Sequence, residues 1–94
     1  IYVAISGWGE DGPLADRPAY DHVMQCFTGF AATQARQDSG GKPALAANIV
    51  CDKITAMTAS QAVTAALLAR ARGDGGQEVK LSMLGAAIAF LWPD

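Results

Sequence analysis

A single carboxylate stands where an apolar run meets the start of a long helix. Residues 49–51 form the apolar run, and Asp52 follows them directly. Residues 53–72 are rich in alanine and predict a helix that ends at Gly73. We therefore predict that Asp52 is the N-cap of this helix, because an aspartate there accepts a hydrogen bond from an otherwise unpaired backbone N–H.

Two roles for Asp52 are open on residue type. A structural cap is the commoner use of aspartate at this position. The positive end of the helix dipole also favours the ionised form of a carboxylate. An ionised, well-placed carboxylate can act as a nucleophile in covalent catalysis. The choice between a cap and a nucleophile therefore depends on the rest of the chain.

The other reactive side chains do not complete a known catalytic or metal-binding set. One histidine, His22, and two cysteines, Cys26 and Cys51, are too few for a zinc site, so we expect no metal. Both cysteines lie in apolar stretches, which predicts buried, reduced thiols and no disulfide. We expect His22 to be solvated, and no serine lies in a nucleophile-elbow motif. The glycine groups at 7–9 and 73–76 lack the spacing of phosphate-binding loops and predict turns.

Alternating strand and helix patterns predict an α/β fold in the order strand, helix, helix, strand, helix. The first helix carries apolar residues at spacings of three and four, which predict one buried face. The Asp52 helix is small and apolar on every side, which is typical of a helix inside a large domain or at a subunit interface. The predicted strands are 1–6 and 77–83, and the predicted helices are 20–33, 53–72 and 84–92; the predicted face is Val23, Cys26, Phe27, Phe30 and Ala31.

Composition limits the classes of partner. The chain has 94 residues, a net charge of −2 and scattered Lys and Arg residues, unlike the basic surface of a nucleic-acid binder. No apolar run reaches the roughly 20 residues that cross a membrane, and no secretory signal is visible. We therefore expect a cytoplasmic protein with no nucleic-acid or membrane partner. Both ends of the chain are apolar and abrupt, which predicts that 1–94 is a single partial domain of a longer chain.

Four segments, in order, resemble the family III CoA-transferases of the CaiB/BaiF type, which include formyl-CoA transferase and carnitine CoA-transferase. The first joins SGWGEDGP at 6–13 to DRPAYD at 16–21, and the second is Gln25-Cys26-x-x-Gly29. The third is the pair Cys51-Asp52 at the start of an alanine-rich helix, and the fourth is GQEVKLSML at 76–84. The resemblance covers essentially the whole chain and implies a fragment of the large Rossmann-like domain of such an enzyme.

The resemblance implies a specific mechanism for the full-length parent. It makes Asp52 the nucleophile, which attacks an acyl-CoA, passes through a mixed anhydride and becomes an aspartyl-CoA thioester. It makes Tyr20 a candidate residue for binding the substrate or CoA. It implies no permanently bound cofactor, since coenzyme A is a substrate, and it implies an acyl-CoA and a carboxylic acid acceptor as partners. It also implies a homodimer, whereas we expect the fragment alone to be inactive and to self-associate.

Two alternatives stay open. The α-methylacyl-CoA racemase branch has a catalytic histidine in a Gly-His-Asp stretch, where this chain has Ala19-Tyr20-Asp21. On a helix, His22 points about 200° away from that position, which favours a transferase. The second alternative is a packing or oligomerisation module without catalysis, held together by its apolar helices.

Overall fold

The computed structural model describes residues 1–36 and 40–93. A short π-helical turn at Arg70–Asp74 follows the longest helix. The strands and helices, in chain order, are β1 (Tyr2–Ser6), α1 (Asp21–Phe27), α2 (Phe30–Thr33), α3 (Val50–Ala69), β2 (Glu78–Ser82) and α4 (Met83–Leu91).

The two strands pair in parallel. Val3 lies opposite Val79, and Ile5 lies opposite Leu81. Parallel neighbours cannot be joined by a tight turn, so the chain between them must cross over, and helices α1 to α3 form that crossover. The predicted α/β arrangement is confirmed, and both predicted strands are found within a residue or so of their expected bounds.

The predicted helix at 20–33 is wrong as a single element. It divides into α1 and α2 at Gly29, whose φ of 88° lies in the left-handed region. Glycine adopts this conformation without the steric penalty that a Cβ brings. The Gly29 carbonyl then accepts the N–H of Ala32 at 3.0 Å, which begins the short second helix.

The predicted buried face of the first helix is also wrong for α1. The buried residues are Asp21, Met24 and Gln25, whereas Val23, Phe27 and Cys26 are exposed. The buried residues of α1 do recur at a spacing of three to four, but they lie on a different face from the predicted one. The prediction missed this face because two of its side chains are polar. Asp21 and Gln25 hydrogen-bond each other, which compensates the cost of burying them. The expected burial of Cys26 fails for the same reason.

The core lies where α1, the start of α3 and α4 meet. Its fully buried members are Met24, Cys51 and Ala87, one from each helix. Trp8 packs against this cluster, and its ring meets Phe27 edge-on at a centroid distance of 4.8 Å. The core therefore holds the first turn of α3 against the loop after β1 and against α1.

The loop after β1 approaches the start of α1 too closely for a side chain at Gly7. A Cβ added at Gly7 would overlap the Cβ of Ala19, whereas one added at Gly76 would meet nothing within 4 Å. We expect Gly7→Ala to lower the free energy of unfolding by about 1–3 kcal/mol, the usual cost of overpacking. Gly76→Ala is the matched control and should leave stability nearly unchanged. Urea denaturation checks both, and equal midpoints for the two variants would contradict this packing.

Candidate active site

Asp52 lies in the first turn of α3, two residues inside the helix. The helix begins at Val50, and Ile49 is its N-cap residue. The prediction that Asp52 is the N-cap is therefore wrong. The reason is that a carboxylate from another helix supplies the cap: the backbone N–H of Asp52 donates to Oδ1 of Asp21 at 2.8 Å. With that donor satisfied from outside, the helix starts upstream of Asp52.

The Asp52 side chain is left available by this arrangement. The residue is partly exposed, and within residues 1–36 and 40–93 no protein group hydrogen-bonds its carboxylate. It lies in the first turn, where the positive end of the helix dipole attracts a negative charge. An accessible carboxylate held by a fixed backbone can attack an electrophilic carbonyl carbon.

A buried polar network fixes the backbone just before this turn and at Asp52 within it. Oδ2 of Asp21 accepts the Gln25 side-chain amide at 2.6 Å. The same amide nitrogen donates to the Asn48 carbonyl at 3.1 Å, and the Gln25 oxygen accepts the Ala46 N–H at 2.8 Å. Asp21 and Gln25 are 5% and 0% exposed, so these bonds are shielded from water. The network ties α1 to the segment that leads into α3.

Sequence reasoning missed Asp21 and Gln25 as members of the site. Their spacing of four residues on one helix is a signal, since aspartate and glutamine at that spacing face each other. Their other partners, Asn48 and Asp52, lie more than twenty residues further along the chain, as the bonds they form show. Only the folded arrangement brings those groups together.

Cys51 precedes Asp52 but is not a competing nucleophile. Its side chain is fully buried in the core. Burial raises the pKa of the Cys51 thiol to about 11, and the negative charges of Asp21 and Asp52 add to the effect. The thiol therefore stays protonated near neutral pH, and the thiolate is the form that reacts.

The two thiols should differ in reactivity. With iodoacetamide near pH 8, we expect Cys26 to be alkylated and Cys51 to be spared, because Cys26 is exposed and Cys51 is buried and protonated. Peptide mass spectrometry over a pH series gives the labelling, and equal labelling of both thiols in the folded protein would contradict this prediction.

The pKa of the Cys51 thiol also bears on stability. An unfolded thiol ionises near the ordinary pKa of 9.0 and the native one near 11, so the free energy of unfolding should fall as pH rises through this interval.

Tyr20 and His22 lie on either side of Asp21. Tyr20 has extended backbone immediately before α1, and its side chain is 67% exposed. Its carbonyl accepts the N–H of Met24 at 3.0 Å, so the backbone is anchored while the ring remains accessible. His22 is exposed, as predicted. The structure therefore places Tyr20 next to the residue that contacts the Asp52 backbone.

A cavity of about 500 Å³ lies beside the two strands. Its lining includes Ser6, Glu10, Lys80 and Gly85, and Asp52 does not contribute to it. Lys80 is exposed there and pairs with Glu10 at 2.9 Å.

In the described part of the chain, no group of three or more metal-binding side chains occurs. No helix among the described residues is long and apolar enough to cross a membrane.

Comparisons with known proteins agree on one family. The model of CoA-transferase family III matches residues 1–94. A succinate–glutarate CoA-transferase of Agrobacterium fabrum is 34% identical over 97% of this chain and 22% of its own length. An acetyl-CoA:oxalate CoA-transferase of Acetobacter aceti is 32% identical over 97% of this chain and 23% of its own. The chain thus spans less than a quarter of either relative.

A solved structure shows the same arrangement of helices and strands. A CAIB/BAIF family protein from Brucella suis superposes with a TM-score of 0.87 at 28% identity. The superposition covers 97% of this chain and 24% of that protein. The described α/β fold therefore matches a fragment of the CaiB/BaiF fold.

Proposed function

This chain belongs to CoA-transferase family III, and on that premise we propose that the full-length protein transfers coenzyme A from an acyl-CoA to a carboxylic acid, with Asp52 as the nucleophile. The observation that carries the proposal is the state of Asp52. Its backbone is anchored by Asp21 at 2.8 Å, while its carboxylate is partly exposed and accepts no hydrogen bond from the described residues. A structural cap would have its side-chain oxygen occupied by the helix.

The first half-reaction loads coenzyme A onto Asp52. A carboxylate oxygen of Asp52 attacks the thioester carbonyl, and the CoA thiolate leaves, which gives a mixed anhydride. The thiolate then attacks the Asp52 carbonyl carbon of that anhydride. The donor acid leaves as a carboxylate that carries one of the original Asp52 oxygens, and Asp52 becomes a CoA thioester.

The second half-reaction reverses these steps with the acceptor. The acceptor carboxylate attacks the Asp52 thioester, the CoA thiolate leaves, and a second mixed anhydride forms. The thiolate attacks the acceptor carbonyl, which yields the new acyl-CoA and restores the Asp52 carboxylate. No oxidation or net hydrolysis occurs. The N-terminus of α3 helps to neutralise the negative charge that develops at each carbonyl oxygen.

Tyr20 is the proposed contact to the substrate or to CoA. Its ring is exposed directly before Asp21, and its hydroxyl can donate a hydrogen bond to a carboxylate or a carbonyl oxygen. A racemase would need a base that titrates near neutrality at this place. The side chain there is a tyrosine, and His22 is a separate, exposed residue of α1. The position of Tyr20 supports the transferase over the racemase.

The relatives' names support one class of substrate. Succinate, glutarate and oxalate appear in those names, so the proposed acceptor is a short dicarboxylic acid, and the proposed donor is acetyl-CoA or the CoA thioester of a different short dicarboxylic acid. Coenzyme A acts as a substrate and not as a bound cofactor. Both cysteines are free thiols, which supports a cytoplasmic location.

The apolar surface supports a larger assembly. We propose that residues 1–94 are part of a longer domain, that this domain forms a homodimer, and that the segment alone is inactive. Large apolar side chains are exposed on several elements, and surface of this kind is usually covered by a partner. Examples from four different parts of the chain are Ile5 at 58%, Met57 at 66%, Phe90 at 58% and Trp92 at 83%.

A CoA adduct tests the proposed function. The full-length protein would be mixed with acetyl-CoA or succinyl-CoA, quenched in acid and digested for peptide mass spectrometry. We expect a CoA thioester on the peptide that contains Asp52, released by hydroxylamine and absent from the Asp52→Ala variant. Turnover without any adduct on that peptide would overturn the mechanism. Absence of both turnover and adduct with a range of acyl-CoA donors would favour the packing module.

A further inference from the structure

Asp21 directs both of its carboxylate oxygens to groups that determine where Asp52 lies. Oδ1 accepts the N–H of Asp52 at 2.8 Å, and Oδ2 accepts the Gln25 amide at 2.6 Å. Asp21 is 5% exposed, so water does not compete for these bonds. Hydrogen bonds to a charged acceptor are stronger than those between neutral groups.

The first turn of α3 depends on this outside acceptor. The backbone N–H groups of a first helical turn have no partners within the helix. The N-cap residue is Ile49, whose side chain has no oxygen to offer. Asp21 therefore satisfies the N–H of Asp52 across 31 positions of sequence. The peptide group of the proposed nucleophile is held by α1 and not by a local cap.

Gln25 holds the segment before α3 in place through hydrogen bonds of its own. Its oxygen accepts the N–H of Ala46 at 2.8 Å, and its nitrogen donates to the carbonyl of Asn48 at 3.1 Å. The chain is thus fixed just before and just inside the start of α3. Displacement of Asp21 would release both the Asp52 peptide and one partner of the Gln25 amide.

We infer that Asp21 is a positioning residue for the nucleophile Asp52, an inference that rests on the proposed function. Asp21 satisfies the N–H of Asp52, while the Asp52 carboxylate accepts no hydrogen bond from the described residues. By fixing the Asp52 peptide, it sets the point from which that carboxylate reaches the thioester carbonyl. Reaction rates fall by about 10²-fold when reacting groups are misplaced by about 1 Å. Both Asp21 oxygens accept from N–H donors, so Asp21 does not exchange a proton with the substrate.

Single-turnover formation of the Asp52–CoA adduct tests this inference in the full-length protein. We expect Asp21→Ala to slow adduct formation by about 100-fold while the KM for the acyl-CoA changes less than about threefold. Asp21→Asn keeps an oxygen toward the Asp52 amide but places N–H groups opposite Gln25. We expect it to lose about tenfold, and so to recover much of the rate lost in the alanine variant. Above the pH range in which carboxylates titrate, the pH–rate profile should have the same shape in the parent and in Asp21→Asn, because Asp21 exchanges no proton with the substrate.

Thr55→Ala is the matched control for a general loosening of α3. Thr55 is 5% exposed, and its hydroxyl donates to the Cys51 carbonyl at 2.7 Å and not to Asp21. We expect its adduct rate to stay within about threefold of the parent. An Asp21→Ala rate that also stays within that range would overturn the inference. So would an equal loss in Thr55→Ala, an Asp21→Asn variant no faster than Asp21→Ala, or a shifted pH–rate profile.

Two further experimental outcomes bear on the role of Asp21. If Asp21→Ala does not fold, Asp21→Ser is measured in its place and judged by the same rate thresholds. The serine side chain is too short for its oxygen to reach the Asp52 amide. If the parent itself forms no adduct on Asp52, the proposed function fails and the inference fails with it. A parent that forms the adduct while Asp21→Ala forms it equally fast overturns the role of Asp21 alone.

Discussion

Replacement of Asp52 by alanine should lower the rate of CoA transfer by at least about 10³-fold, because removal of a covalent nucleophile leaves only binding and positioning. The protein should still fold. Asp52 contributes no capping bond of its own, and loss of a first-turn acid costs only about 0.3–1 kcal/mol. Steady-state transfer assays and circular dichroism of the same preparation measure both effects.

Asp74→Ala is the matched control for the loss of an aspartate near this helix. Asp74 is exposed and lies in the turn after α3, at the opposite end of that helix from Asp52. Its replacement should leave the transfer rate within about twofold, since surface substitutions of this kind have small effects. An Asp52→Ala variant that keeps more than about a tenth of the parent rate would exclude Asp52 as the nucleophile.

The second large effect concerns the core beneath the site. Met24 is 0% exposed and belongs to the cluster with Cys51 and Ala87. Met24→Ala should lower the free energy of unfolding by about 2–5 kcal/mol, because it removes buried methylene groups and leaves a cavity. Urea denaturation followed by circular dichroism gives the difference between variant and parent.

Gln61→Ala is the corresponding control on α3. Gln61 is polar and exposed, so its truncation removes little buried apolar area and should cost less than about 1 kcal/mol. A Met24→Ala variant that unfolds at the same urea concentration as the parent would contradict the assignment of Met24 to the core. The comparison separates loss of core packing from the truncation of a side chain as such.

The structure shows how the first turn of α3 is capped while the Asp52 carboxylate accepts no hydrogen bond from the described residues. Aspartate near a helix N-terminus normally uses its own side chain to cap the backbone. In this chain the cap comes from Asp21, at a distance of 2.8 Å from the Asp52 nitrogen. The dipole of α3 acts on the Asp52 carboxylate, while the capping bond is made by another residue. Asp21 therefore has the capping role, and the proposed chemical role belongs to Asp52.

The parts of the fold that depend on local pattern could be predicted. The strand at 77–83 alternates polar and apolar residues, and β2 lies within it at Glu78–Ser82. The apolar run at 84–92 ends at a proline, and α4 spans Met83–Leu91. Its cap is local too, since Ser82 Oγ accepts the N–H of Gly85 at 3.0 Å. Where the residues that pack against or cap an element are its neighbours in sequence, residue type and spacing are sufficient to predict that element.

The parts that depend on distant partners could not be predicted. The local sequence predicts the N-terminus of α3 at Asp52, because Asp52 is the nearby residue able to cap, whereas the actual cap lies on α1. The apolar pattern predicts a buried face of α1 that includes Val23 and Phe27. The residues actually buried include Asp21 and Gln25, whose polar groups are satisfied by Ala46, Asn48 and Asp52. The position of Asp52 as a site candidate came from the motifs around it.

Oxygen transfer from the acceptor to Asp52 tests the central claim most directly. In the proposed mechanism the restored Asp52 carboxylate contains one oxygen that came from the acceptor acid. The full-length protein would be run through turnover with acceptor labelled by oxygen-18 in its carboxylate groups, and the peptide that contains Asp52 would be weighed. We predict one heavy oxygen in Asp52 after a single turnover and none in any other carboxylate. Complete turnover with unlabelled Asp52 would contradict the assignment of Asp52 as the nucleophile.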